Sequence, residues 1–152
     1  MSPYNKETID LLKQKHPQAS AINDEATLKG PKENVSNVIF EEIDALLIRK
    51  IACKTKGSAG PSGLDADAWR KLLTHKSYGT EANDLCKSIA CLARKLCSTD
   101  FSTTNFALNL EPFTASRLIP LDKAPGVRPV GVGEVLRRII GSAVMTILAD
   151  DV

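Results

Sequence analysis

The chain has 152 residues, which is enough for one domain of ordinary size. Hydrophobic residues make up 43% and charged residues 25%, a composition typical of a globular protein. The net charge of +2 is too balanced to indicate nucleic-acid binding by itself. No apolar run reaches the ~20 residues that span a bilayer, so we expect no membrane partner. The polar start of the chain predicts no secretory signal, which leaves nucleus and cytoplasm open.

Basic residues cluster at Arg49–Lys56, Lys87–Lys95 and Arg117–Arg138. The first two clusters are interpreted more simply as solvated helix faces than as binding sites. The four cysteines form no Cys-x-x-Cys pair, and neither histidine lies at ligand spacing from them, so we expect no zinc site. We favour reduced structural thiols over disulfides for Cys53, Cys86, Cys91 and Cys97.

The N-terminal part of the chain has weak structural signals. Lys6–Lys15 can form a short helix with Ile9, Leu12 and Lys13 on one side. The sequence His16-Pro17 ends it, because the residue before proline avoids the helical region. Gln18–Asn34 contains Gly30-Pro31 and is predicted to be a linker, so residues 1–34 form a weakly ordered segment.

Ser36–Thr55 is predicted to be one helix. Ser36 is its expected N-cap, and acidic residues early and basic residues late suit the helix dipole. Its apolar residues recur at three- and four-residue spacing, at Ile39, Phe40, Ile43, Leu46, Leu47 and Ile51.

A glycine-rich loop follows, from Lys56 to Asp65, in which three glycines and a proline demand a specific loop conformation. Asp65 is predicted to cap a short helix that runs through Leu73. His75–Gly79 is predicted to be a turn. The candidates for burial in the short helix are Trp69, Leu72 and Leu73.

Thr80–Ser98 has the pattern of another amphipathic helix. The apolar stripe of this helix contains Leu85, Ile89, Leu92 and Leu96, with Ala82, Ala93 and Cys86 beside it.

In the next segment, Thr99–Pro112, the residues Thr103–Asn105 are predicted to form a turn or the start of a short helix.

Two short β-prone runs, Arg117–Leu121 and Val127–Val132, predict a hairpin. Pro125-Gly126 between them has the residue types of a type II turn. Because prolines cannot donate ladder hydrogen bonds, Pro120 and Pro129 should face an edge or a gap in the pairing.

Gly133–Asp150 is predicted to be the last helix, with a wide apolar face over residues 135–148 that needs cover from other residues. Cover from beyond residue 152 is one alternative. The predicted class is α+β, mostly helical with one β-hairpin.

A basic hairpin that leads directly into a helix can place several cations over a phosphate group. The planar fork of arginine fits phosphate oxygens, and backbone amides at a helix start near Gly133 could also hold an anion. From the spacing alone, Arg128 is more often a surface charge, and Arg137 and Arg138 more often flank a helix than touch a ligand.

The string Gly126-Val-Arg-Pro-Val-Gly-Val-Gly-Glu-Val-Leu-Arg-Arg138 resembles the fingers motif of retrotransposon reverse transcriptases. The loop Gly57-Ser-Ala-Gly-Pro-Ser-Gly-Leu-Asp65 resembles the Gly-Pro loop that lies upstream in these enzymes. The resemblance runs from about Val35 to the end, so residues 35–152 would be a partial fingers region.

The resemblance implies roles for particular residues. The arginine of the Arg-Pro pair, here Arg128, would reach the triphosphate of the incoming nucleotide. Lys123 and Arg117 are further nucleotide-binding candidates, although relatives often carry the lysine at the position of Leu121. The implied partners are dNTP and nucleic acid, as RNA template or DNA. The loop residues expected to shape the template side are Gly60, Pro61 and Gly63.

The resemblance also implies the activity of the intact relatives, which is RNA-directed DNA polymerisation, a nucleotidyl transfer that uses two Mg²⁺ ions held by palm carboxylates. Those carboxylates are not in this sequence, so we expect no catalytic residue, metal ligand or cofactor here, and no activity of the chain alone. The missing palm would cover the apolar face of residues 135–148. Asp150 and Asp151 follow a helical stripe and are not interpreted as the metal-binding pair.

Two alternatives remain from sequence alone. The chain could be a small helical module that binds nucleic acid or a protein without catalysis, with a salt-dependent affinity. It could also be a remnant without a stable fold, because an uncovered apolar helix face promotes association.

Overall fold

The computed structural model describes residues 6–15, 36–99, 110–124 and 126–150. Within these ranges the chain is mostly helical with one antiparallel hairpin, which confirms the predicted α+β class. The predicted linker at Gln18–Asn34 and turn at Thr103–Asn105 lie outside the described residues. The elements are α1 (Lys6–Lys15), a 3₁₀ helix (Asn37–Glu42), α2 (Ala45–Lys54), α3 (Ala66–Thr74), a 3₁₀ turn (Lys76–Tyr78), α4 (Gly79–Ser98), α5 (Glu111–Thr114), β1 (Ser116–Asp122), β2 (Val127–Gly133) and α6 (Val135–Asp150).

The chain divides into two compact units. The smaller unit contains α1 and Leu118–Gly131 of the hairpin. The larger unit contains Ser36–Arg117 and Val132–Val152, and therefore α2, α3, α4 and α6. Each unit is described by itself below.

The core of the larger unit forms where α2 packs against α3, α4 and α6. Val135, Ile139 and Ala143 of α6 are fully buried in this core. The expectation that cover for this face comes from beyond residue 152, or from a missing palm, was therefore wrong. The apolar face is covered within the chain, and each large aliphatic side chain buried there contributes roughly 1.5–3 kcal/mol.

The predicted helix at Ser36–Thr55 is broken into two elements. A 3₁₀ helix ends at Glu42, and α2 starts only at Ala45, because Asp44 acts as the N-cap and accepts from the amide of Leu47 at 2.7 Å. Ser36, the predicted cap, makes no side-chain capping bond. The break leaves Leu46 71% exposed, although the pattern had placed it on the buried face.

A long-range contact stabilises the break between the 3₁₀ helix and α2. Arg94 of α4 donates from Nη1 to the carbonyl of Ile43 at 2.6 Å, and its Nε lies 3.8 Å from Glu41. Ile43 itself is fully buried. A partnered carbonyl and a buried side chain thus replace the helical hydrogen bond that a continuous helix would have made there.

The helices α3 and α4 form as predicted. Asp65 caps α3 by accepting from the amide of Ala68 at 2.8 Å, and Leu73 is fully buried, whereas Trp69 and Leu72 are half-buried. In α4 the small residues and Ile89 lie deepest, and the predicted leucines Leu85, Leu92 and Leu96 are half-buried beside them. The buried residues of α4 are Ala82, Cys86, Ile89, Ala90 and Ala93.

In the smaller unit, α1 has the predicted bounds but a different buried side. Leu12 and Thr8 are buried, whereas Ile9 is 40% exposed and Lys13 is exposed. Lys15, in the last turn, donates from Nζ to the carbonyl of Val127 at 2.5 Å. This bond ties α1 to the hairpin within the same unit.

The two candidate N-caps give a paired test. Asp44→Ala should lower the free energy of unfolding by about 1 kcal/mol, because the amide of Leu47 loses its acceptor. Ser36→Ala should change it by less than about 0.5 kcal/mol, as is usual for surface sites without special contacts. Urea denaturation followed by circular dichroism measures both, and equal losses in the two variants would contradict the assignment of the cap.

The cysteines are free, but they are not all core residues as predicted. Cys86 is fully buried and its Sγ donates to the carbonyl of Leu73 at 3.7 Å. Burial raises the pKa of the Cys86 thiol, with a partial offset from Arg49, and burial also raises the pKa of Cys97. Cys53 and Cys91 are exposed, so packing does not explain them.

The four cysteine thiols should react with a labelling reagent in the order of their exposure. The thiolate is the reactive form, so a raised pKa lowers the reactive fraction at a given pH. With Ellman's reagent at pH 8, Cys53 and Cys91 should react first and the half-buried Cys97 more slowly, with a rate that still rises above pH 9. Cys86 should react only after unfolding. Four equally fast thiols in the native protein would contradict the described core.

Candidate functional site

The hairpin forms where the sequence predicts it, from two paired antiparallel strands. Lys123 donates its amide to the carbonyl of Gly126 at 3.0 Å, and Gly126 has φ +95°, a conformation that glycine adopts without strain. Pro125, the other residue of the predicted type II turn, lies outside the described residues. In a two-stranded sheet each strand has a free edge, which is compatible with Pro120 on β1 and Pro129 on β2.

Arg128 lies on β2 next to a buried residue. Val127 is 7% exposed, whereas Arg128 is exposed, as the alternation of side chains along a strand requires. Among the described residues, the Arg128 side chain has no hydrogen bond and no ion pair. Lys15 holds the carbonyl of Val127, so the backbone just before this arginine is fixed. The Arg128 guanidinium is thus available to a ligand, and the bond from Lys15 restrains the strand beside it.

The other two predicted nucleotide-binding residues are also exposed. Lys123 lies at the turn of the same hairpin as Arg128, in the smaller unit. Arg117 lies near the start of β1 and belongs to the larger unit. The structure therefore places Lys123 and Arg128 on one hairpin.

The glycine-rich loop is fastened to the start of α6. Ser62 donates its amide to Oε1 of Glu134 at 2.6 Å and its hydroxyl to Oε2 at 2.7 Å. The Glu134 side chain is buried, and two charge-assisted hydrogen bonds satisfy the carboxylate. The loop therefore has one defined conformation at Ser62, although Ser62 itself is exposed.

Gly60 allows this close approach. A Cβ at Gly60 would lie 2.8 Å from the amide nitrogen of Glu134, closer than real Cβ contacts come. The backbone of the loop therefore covers the start of α6, and the Glu134 carboxylate adds a negative charge. The expected anion site on the amides near Gly133 is not formed there. Pro61 and Gly63 remain exposed beside the buried Gly60.

The two arginines of α6 bind backbone carbonyls. Arg138 donates to the carbonyls of Lys56 at 2.8 Å and Ser58 at 2.6 Å. Arg137 donates to the carbonyl of Thr114 at 2.8 Å. This geometry favours the interpretation that both arginines support the fold rather than touch a ligand.

Sequence reasoning missed the role of Glu134 and Ser62. A signal was present, because an acidic residue directly before an apolar helix is typical of a helix start. Its partner lies 72 residues away, and no local pattern identifies a contact of that range. The pairing is therefore visible only in the structure.

Within the described ranges, no three histidine, cysteine, aspartate or glutamate side chains come together as metal ligands. No described helix combines the length and apolar character needed to cross a bilayer. Comparisons with protein-family models, with curated proteins and with solved structures give no match to this chain.

Two glycine substitutions test the contact between the loop and α6. Gly60→Ala should lower the free energy of unfolding by about 1–3 kcal/mol, because the added methyl group meets backbone atoms of Glu134. Gly141→Ala is the matched control, since a Cβ there meets nothing within 4 Å and alanine raises helix stability by about 1 kcal/mol. Thermal unfolding measures both. An unchanged midpoint in Gly60→Ala would show that the loop is not fastened as described.

Proposed function

We propose that this chain is the fingers part of a retrotransposon reverse transcriptase, in which Arg128 binds the triphosphate of the incoming nucleotide. The observation that carries the proposal is the exposed Arg128 guanidinium on an anchored hairpin, without a protein partner among the described residues. The sequence resemblance supplies the family, and the geometry is compatible with it.

The hairpin suits polyphosphate recognition for a physical reason. An arginine fork makes two parallel hydrogen bonds to phosphate oxygens, and a restricted backbone lowers the entropy lost when these bonds form. Burial of Val127 and the bond from Lys15 restrict the backbone beside Arg128. Lys123 at the turn adds a second positive charge on the same hairpin. Arg117 belongs to the larger unit, and only the sequence resemblance supports a nucleotide-binding role for it.

The glycine-rich loop is proposed as the template-side surface. Glu134 and Arg138 hold the loop from two sides, by the bonds to Ser62 and to the carbonyls of Lys56 and Ser58. The loop then presents a stretch with small or rigid side chains, which allows close approach of a nucleic-acid strand. The exposed residues of this stretch are Pro61, Ser62, Gly63 and Leu64.

In this proposal the chain contributes binding and charge, not a complete active site. Phosphoryl transfer proceeds largely through positioning and charge stabilisation, and Arg128 would stabilise negative charge on the triphosphate. In the intact relatives, Mg²⁺ held by the palm supplies the remaining stabilisation. The chain alone is therefore proposed to bind without polymerising.

Nucleotide binding by Arg128 variants tests this proposal. Arg128→Ala should weaken dNTP binding about tenfold or more, the loss expected for a charge-assisted hydrogen bond. Arg128→Lys keeps the charge but loses the fork, so its affinity should be intermediate. Isothermal titration calorimetry with dNTP measures both. Lys71→Ala, which removes an exposed charge from α3, serves as the control.

Equal dNTP affinity in Arg128→Ala and the parent chain would remove Arg128 from the proposal. The alternative function, a nucleic-acid-binding module without nucleotide recognition, predicts a different result. Such a module would bind single-stranded RNA with strong salt dependence and would show no saturable dNTP binding. Parallel titrations with RNA and dNTP separate the two functions.

A further inference from the structure

A groove lies in the larger unit between the end of α2 and the exposed side of α6. Its volume is about 440 Å³. Gly141 lies in its floor on α6, and a Cβ there would meet nothing within 4 Å, so the groove is open at this point. The residues that line it are Thr55, Lys56, Arg138, Gly141, Ser142 and Met145.

The charges around the groove favour an anion. Two lining residues, Lys56 and Arg138, are cations, and no lining residue is a carboxylate. The chain leaves α2 here, and carbonyl oxygens at a helix end would normally repel an anion. Three carbonyls that follow this helix end are partnered, because Arg70 donates to the carbonyl of Thr55 at 3.1 Å and Arg138 donates to those of Lys56 and Ser58. Among the described residues, the Lys56 ammonium has no oppositely charged partner.

Besides the buried Nε of Arg138, two exposed hydrogen-bond donors at the groove are unused. Among the described residues, neither the Lys56 ammonium nor the Ser142 hydroxyl has a hydrogen-bond partner, and both residues are exposed. The Arg138 side chain is held by two carbonyls, so its charge stays fixed beside the groove. A ligand with several acceptor oxygens and negative charge would match a lysine, a hydroxyl and a fixed guanidinium.

We propose that this groove binds a phosphate group, with Lys56 and Ser142 as the contacting donors and Arg138 as a fixed supporting charge. Two kinds of ligand offer such a phosphate group, the backbone of a nucleic acid and a free polyphosphate. The residues of this groove do not include Arg128, so the proposal does not depend on the proposed binding of a nucleotide by the hairpin.

The test uses the full chain and two probes, inorganic tripolyphosphate and a single-stranded RNA oligonucleotide. Lys56→Ala removes the main donor. Gly141→Leu fills the groove without changing any charge, and the open space at Gly141 allows the fold to remain intact. Lys95→Ala removes an equal charge from α4 and serves as the matched control. Calorimetry measures tripolyphosphate binding, and fluorescence anisotropy at several salt concentrations measures RNA binding.

Lys56→Ala and Gly141→Leu should each weaken binding of at least one probe about tenfold, while Lys95→Ala should change it less than twofold. If RNA is the source, the slope of log affinity against log salt should fall by about one in Lys56→Ala. If these variants lose affinity for RNA alone, the groove binds a nucleic-acid backbone. If they also lose affinity for tripolyphosphate, the groove binds phosphate groups in general.

The proposal is overturned if Lys56→Ala behaves like Lys95→Ala with both probes, or if folded Gly141→Leu binds both as the parent does. Absence of binding by the parent chain overturns it too. Arg128→Ala distinguishes this site from the hairpin, because loss of dNTP binding in that variant with retained Lys56-dependent binding separates the two. Circular dichroism of each variant confirms that the comparison is between folded proteins.

Discussion

The contact between the glycine-rich loop and the start of α6 organises the larger unit. A buried carboxylate at Glu134 is stable only because Ser62 donates to both of its oxygens. Loss of the Ser62 hydroxyl would leave an oxygen of the buried Glu134 carboxylate without this partner, which costs more than the bond itself contributes. Gly60 makes the approach sterically possible, and Arg138 holds the other end of the loop.

This contact shapes one candidate surface in the larger unit, because it fixes the loop so that Pro61 to Leu64 are presented outward. A second, independent contact lies nearby, where the Arg138 guanidinium binds the carbonyls of Lys56 and Ser58. The ammonium of Lys56 has no protein partner among the described residues. The exposed loop and the groove beside Lys56 therefore depend on two different contacts.

Local signals in the sequence predicted most of the elements but not their breaks or their distant partners. Asp65 before an amphipathic run correctly predicted a cap, because capping depends on three neighbouring residues. The same residue type at Asp44 was read as part of a longer helix, since a regular apolar pattern concealed the break. The exposure of Arg128 agrees with its interpretation as a surface charge on a β-prone run, whereas the Ser62–Glu134 pairing is a long-range contact that no local pattern predicts. Cover for α6 was sought outside the chain because pattern analysis gives a face but not what packs on it.

The order of the helices along the sequence has a consequence for biosynthesis. α2 and α4 bury their apolar sides partly against α6, which follows them by several tens of residues. During translation those sides remain exposed until α6 has left the ribosome, so the larger unit can close only late. Contacts of such long sequence separation slow folding and favour transient association of nascent chains. A chaperone that shields α2 and α4 during synthesis would therefore raise the yield of folded protein.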